Sequence, residues 1–152
     1  ETGLNAWYDD KAGVFALQNT VDLGVAMETD EGLFAPVVPN AGALSLEAIE
    51  HAVDELKAAV LDRTIAPQAL KGQTITLSNF GSVGGIFADM VVVPPQVAIV
   101  GAGRAFEQPF VRDGSVAVGV FIPVSISFDH RVVTGVEACR FLNALIESLE
   151  RN

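Results

Sequence analysis

One of the two histidines in this chain stands in "SFDHRVVTG" (127–135), between Asp129 and Arg131. A neutral imidazole within hydrogen-bond reach of a thiol or hydroxyl can take its proton near neutral pH, so His130 is a candidate general base. A histidine in a short strand-to-helix connection can equally be structural, and the local residues leave both readings open. Ser78 in "TLSNFG" carries a hydroxyl and in the plainest reading ends a strand, and Asn79 beside it offers an amide. The small residues Gly81, Ser82, Val83, Gly84 and Gly85 follow at once, as a loop or as a place where a ligand approaches the main chain.

Other motifs fail on spacing. "FGSVGG" has Phe80, not glycine, two positions before Ser82, so it is no nucleophile elbow. "VAIVGAGRAF" invites a nucleotide-binding reading, but the third fingerprint glycine falls on Phe106, and Pro109 with "RDG" leaves no room for a phosphate-cradling helix. His51, beside Glu47, Glu50 and Glu55, is a solvated side chain on a polar helix face. A single cysteine, Cys139, allows no internal disulfide and no structural metal site is expected; its usage fits a reducing compartment.

The elements that must position His130 and Ser78 follow from periodicity. Leu46, Ile49, Val53, Leu56 and Val60 mark one face of a helix capped by Ser45. Val136, Cys139, Leu142, Leu145, Ile146 and Leu149 mark a second, which Thr134 and Glu137 start as a capping box; Cys139 is then expected in the core. "VFALQ", "VDLGVAM", "LFAPVV", "TITLSNF", "MVVV", "QVAIVGAG" and "SVAVGVFIPVSISF" are expected strands, with turns at "TDEG" and "RDG". The order of strands, helix, strands and final helix predicts an α/β fold, a two-layer mixed sheet with helices on one face.

Composition bounds the function classes. The 152 residues fit one domain, and 50% hydrophobic with only 18% charged residues predicts that part of the surface meets other subunits. "MVVVPPQVAIVGAG" is broken by Pro94 and Pro95 and is too short to span a bilayer, so no membrane partner is expected. The formal charge of −10 argues against nucleic acid. The chain opens on "ETGLNAWYDD" without a charged-then-apolar leader, and a piece of a longer polypeptide is expected.

Taken together, "SFDHRVVTG" resembles the Asp-His-Arg-x-x-Asp-Gly signature of the dihydrolipoamide acyltransferases, core components of 2-oxo acid dehydrogenase complexes. "TITLSNFGSVGGIFADMVVVPPQVAIVGAG", "NAWYDD" and "VDLGVAMETDEGLFAPVV" are similar to the family in the same order, so the resemblance covers essentially residues 1–152. It implies a truncated catalytic domain that lacks its leading portion and the lipoyl and subunit-binding domains, with a fold resembling chloramphenicol acetyltransferase. Thr134 stands where the family usually has Asp, which implies a place beside His130 and Ser78 in the catalytic set; it keeps the capping function but not the charge that would help fix the histidine.

The resemblance further implies acyl transfer from a dihydrolipoyl group, carried on a separate domain, to coenzyme A as acceptor. His130 would be the base and Ser78 the oxyanion donor, contributed by neighbouring chains of a homotrimer that assembles into a larger core. Decarboxylase and dihydrolipoamide dehydrogenase components are the implied partners, in the cytoplasm or, in a eukaryote, the mitochondrial matrix. The "GSVGG" stretch (81–85) follows Ser78 closely enough to line the same substrate pocket and resembles branched-chain members, whose small residues there imply a branched acyl group; acetyl transfer and a non-catalytic scaffold are the alternatives.

Overall fold

The computed structural model describes residues 3–30 and 32–151. A mixed sheet forms its centre, and alternating side chains along the strands explain how its two faces differ. Strands β3 (Leu23–Thr29), β6 (Ile75–Asn79) and β7 (Ala98–Ala102) run parallel, and β10 (Val124–Phe128) adds antiparallel to β7. The short β4 (Gly32–Phe34) and β5 (Val37–Val38) both pair antiparallel with β3. The register sets Leu23 beside Ile75, Leu77 beside Val100, Val100 beside Ile126 and Ala98 beside Phe128. These residues form one apolar face, against which Phe141 and Leu145 of α2 (Gly135–Glu150) pack.

The opposite face carries mostly small and polar residues in the alternate positions, Gly24, Thr76, Ser78, Gly101, Ser125 and Ser127, with the buried Ile99 among them. The segment after β6 covers part of it. A Cβ on Gly101 would strike Met90 Sδ and would lie 2.7 Å from the Phe80 ring. Helix α1 (Leu46–Leu61) contacts β3 and β5, and Ser45 Oγ caps it by accepting from Ala48 N at 3.2 Å. A mixed sheet with two long helices is the architecture expected from the pattern.

Several expected details differ. In α2 it is Ala138 that is buried, with Phe141 and Leu145 in the core, whereas Cys139 is exposed and Val136 and Leu149 are largely so. The helix carries two overlapping apolar stripes, and the one with Ala138, Phe141 and Leu145 is turned inward, so the stripe containing Cys139 turns outward. "MVVV" forms no strand: residues 88–95 run as irregular backbone into Pro94 and Pro95, with Val91 and Val93 exposed. "LFAPVV" splits at Pro36, which cannot donate to a ladder.

The long run "SVAVGVFIPVSISF" also splits. Pro123 separates β10 from β9 (Ser115–Phe121), which among the described residues pairs only with β8 (Phe106–Arg112), in a separate ribbon. The ribbon turn holds Asp113 and Gly114 at φ 51° and 75°, the paired positive values that an Asp-Gly hairpin supplies. Another hairpin, β1 (Ala6–Asp9) with β2 (Val14–Leu17), extends "VFALQ" with a partner strand that periodicity does not reveal in "NAWYDD". The "TDEG" turn includes Glu31, which lies outside the described residues. His51 is exposed beside Glu55, 3.6 Å away, as expected of a solvated pair.

Candidate active site

Strand β10 ends at Phe128, and the next six residues form a tight turn into α2. Asp129 N donates to Val97 O at 2.8 Å, and the carbonyl of Asp129 accepts from the amides of Val132 and Val133 at 3.1 and 3.0 Å. Val133, 1% exposed, anchors the far side of the turn in the core. His130 projects from this fixed support into solvent, with its ring 5.4 Å from the Phe128 ring at 44°. Among the described residues no side-chain hydrogen bond holds the imidazole, which leaves both nitrogens free for a substrate.

The flanking acid and base act on each other. Arg131 Nε donates to Asp129 Oδ1 at 2.9 Å and Nη2 to Oδ2 at 2.6 Å, while the Arg131 amide also donates to Oδ1 at 3.0 Å. This forked pair straddles His130 and fixes the backbone on both sides of it. The hydrogen bonds from Arg131 hold the Asp129 carboxyl below its ordinary value, and Asp129 in turn raises Arg131. Arg131 also pairs with Asp10 and lies 4.7 Å above the Tyr8 ring.

Thr134 caps α2 as its spacing predicts. Its Oγ1 accepts from Glu137 N at 3.3 Å, and Glu137 Oε2 accepts from Thr134 N at 2.8 Å and from the Thr134 hydroxyl at 2.6 Å. Those bonds, the one from the hydroxyl foremost, lower the Glu137 carboxyl. The hydroxyl is committed to the helix start, so Thr134→Ala should cost about 1 kcal/mol of stability, a typical loss for a deleted N-cap. Urea denaturation of the two proteins measures it.

Ser78 lies near the end of β6, half-buried, between Ala26 of β3 and Gly101 of β7. It lines a cavity of about 630 Å³ together with Ser82, Val83 and Phe80, opposite Val53 and Val60 of α1. Of the loop expected to line the same space, Ser82 and the exposed Val83 do so. Gly81, Gly84 and Gly85 instead shape the backbone. A Cβ on Gly81 would fall 2.5 Å from the Gly103 carbonyl, one on Gly85 would fall 2.9 Å from the Phe80 ring, and Gly84 has φ 106°. The close approach expected at this loop is thus made by the chain's own main chain; Arg104 N donates to Gly85 O at 2.7 Å. The same packing fills the turn after "VAIVGAG", and Gly103 leads directly to β8 with no helix for a nucleotide phosphate.

One chain does not bring His130 and Ser78 together. Ser78 pairs with Gly101, and Gly101 with Ser125, so Ser78 lies two strands from β10. Because β10 runs antiparallel to β7, His130 emerges at the opposite end of the sheet, five residues beyond Ser125. At the usual strand spacing and rise this is a separation on the order of 15–20 Å. His130 stands instead beside a second cleft, of about 610 Å³, that Tyr8, Asp10, Pro95, Asp129 and Arg131 line. The partners Tyr8 and Asp10 carry no signal in the sequence, since the Asp10–Arg131 contact joins residues 121 positions apart.

Residues 2–152 match the model for the catalytic domain of the 2-oxoacid dehydrogenase acyltransferases. The chain belongs to that family. It is 40% identical over 148 residues to the lipoamide acyltransferase component of the branched-chain alpha-keto acid dehydrogenase complex of Pseudomonas putida, covering 97% of this chain and 35% of that protein. It is 35% identical over 140 residues to the dihydrolipoyllysine-residue acetyltransferase component of the pyruvate dehydrogenase complex of Staphylococcus epidermidis, covering 92% and 32%. The chain thus spans about a third of the length of these curated relatives.

Among solved structures, a probable dihydrolipoamide acetyltransferase from Listeria monocytogenes superposes with a TM-score of 0.93 at 24% identity, over 99% of this chain and 63% of that one, which shows the shared fold. The dihydrolipoamide acetyltransferase of Azotobacter vinelandii superposes with a TM-score of 0.88 at 31% identity, over 95% and 59%. Crystallographic and enzymatic work on that enzyme concerns the role of a serine, a histidine and an asparagine in its catalytic mechanism.

Proposed function

We propose that this acyltransferase domain moves an acyl group from a dihydrolipoyl thioester to the thiol of coenzyme A, with His130 as general base and Ser78 as oxyanion donor. Residue spacing carries the assignment. In the Azotobacter enzyme the named histidine follows the named serine by 52 positions and the asparagine follows the histidine by four; His130 follows Ser78, and Thr134 follows His130, by the same intervals.

The chemistry fits these groups. A coenzyme A thiol is only slightly ionised near pH 7, so an imidazole nitrogen that takes its proton generates the attacking thiolate. Sulfur attacks the thioester carbonyl carbon, and the carbonyl oxygen becomes an oxyanion that accepts from the Ser78 hydroxyl. Collapse expels the dihydrolipoyl thiolate, which recovers the proton from the imidazolium. The free His130 nitrogens and the half-buried Ser78 at a cavity wall support these roles.

The wide separation of the two groups supports a site shared between chains, Ser78 from one and His130 from its neighbour, in a homotrimer that builds a larger core. Apolar side chains exposed on the single chain, such as Val116, Val118 and Val120 of β9, agree with burial in an assembly. Decarboxylase and dihydrolipoamide dehydrogenase are the proposed functional partners of that core. The direct test is acyl transfer from acyl-dihydrolipoamide to coenzyme A by the full-length polypeptide, and no transfer with any acyl donor would defeat the assignment.

A branched acyl group is the preferred substrate in this proposal, supported by the 40% identity to a branched-chain component against 35% to an acetyl-transferring one. Val83 lines the Ser78 cavity, and Ser82 and the nearby glycines add little bulk to the loop. Specificity constants for isovaleryl- and isobutyryl-dihydrolipoamide should exceed that for acetyl by about 10-fold or more, since each added methylene in an apolar pocket contributes about 1–3 kcal/mol. Val83→Phe should narrow this gap. A parent preference for acetyl would move the protein to the pyruvate-type reading.

A further inference from the structure

We infer that Tyr8 and Asp10, on the β1–β2 hairpin, are positioning residues for His130 and act through Arg131. This rests on the acyltransferase assignment and extends it to the hairpin that lines the cleft beside His130.

Arg131 has more donors than Asp129 can use. Its Nε and Nη2 serve Asp129, and Nη1 reaches Asp10 on the hairpin turn. The guanidinium carbon stands 4.7 Å from the centroid of the Tyr8 ring, a distance at which a cation is attracted to the aromatic face. Arg131 therefore joins two segments, the His130 turn and the hairpin. The hairpin is itself fixed: Tyr8 N donates to Pro95 O at 2.7 Å, Trp7 bridges to Gln96, and Trp7 Nε1 donates to Gln73 O at 2.9 Å. Its turn is braced by Asp9 Oδ1, which accepts from the amides of Lys11 and Ala12.

The energies involved decide what kind of role this is. Arg131 and Asp10 are both more than half exposed, so their ion pair adds little to global stability. Its consequence is directional. Without Tyr8 and Asp10, Arg131 and the Asp129 fork can shift together, and His130 lies between them in the chain. A base misplaced by about 1 Å can cost up to about 100-fold in turnover, so loss of part of the brace should cost less than that.

The experiment uses the full-length protein and compares Asp10→Asn, Tyr8→Leu and Tyr8→Phe with the parent and with His130→Asn. Asp10→Asn and Tyr8→Leu should each lower kcat about 3- to 10-fold, with KM for coenzyme A and for the acyl donor within twofold of the parent. Tyr8→Phe, which keeps the ring face and loses only the hydroxyl, should restore kcat to within twofold. Asp10 is on the surface, so its substitution reports on positioning even if Tyr8→Leu folds poorly. Parental kcat in Asp10→Asn and in a folded Tyr8→Leu, alongside an inactive His130→Asn, would overturn this inference and leave the base assignment standing. A Tyr8→Phe protein as impaired as Tyr8→Leu would also overturn it. Full activity in His130→Asn would remove both.

Discussion

Replacing His130 with Asn should lower turnover by about 100-fold or more while the assembly and the fold persist. His130 is exposed and, among the described residues, its side chain makes no hydrogen bond that holds the turn, so the substitution removes a proton acceptor and little else. The turn keeps its amide bonds to Asp129 O and its Asp129–Arg131 fork. Residual activity should then rise with pH, because a larger thiolate fraction of coenzyme A replaces the missing base. Parental turnover in a correctly assembled His130→Asn protein would leave only the scaffold reading.

Ser78→Ala should lower kcat by roughly 100-fold with little change in KM, because a donor to the oxyanion stabilises the transition state and not the resting thioester. Geometry makes this a clean substitution. Ser78 is half-buried, and alanine at this strand position keeps the backbone pairing with Ala26 and Gly101. An effect confined to KM would assign Ser78 to binding instead.

How much of this was legible in the residues differs from element to element. Helix α1 and the start of α2 carry their own signals, because Ser45 and Thr134 satisfy amides only three residues away. The face of α2 did not, since two apolar stripes overlap and only contact with the sheet selects Ala138 over Cys139. "MVVV" has strand composition but no partner edge, and strand composition alone does not build a ladder. Of the site, His130 and Ser78 stand out by motif. Their separation does not, because it depends on β10 running antiparallel to β7, a long-range choice. The same limit hides Tyr8 and Asp10, whose contact with Arg131 spans most of the chain.

The glycines of "GSVGG" illustrate how one local pattern admits two physical causes. Glycine permits close approach whether the approaching group is a ligand or the chain itself. Here Gly81 and Gly103 pack backbone against backbone, and Ser82 and Val83 alone of the five face the Ser78 cavity. On the proposed assignment, substrate selection in this loop rests on Ser82 and Val83, which is why Val83 is the position to change.

The central claim, that acyl transfer uses Ser78 of one chain and His130 of another, can be tested by mixing two inactive proteins. Full-length Ser78→Ala and His130→Asn chains, unfolded together and reassembled at equal amounts, should regain about a quarter of parental turnover, since random assembly pairs an intact Ser78 with an intact His130 at one site in four. Each variant reassembled alone should remain near its own low rate. A mixture no more active than its separate components, in assemblies shown to contain both chains, would contradict a shared site.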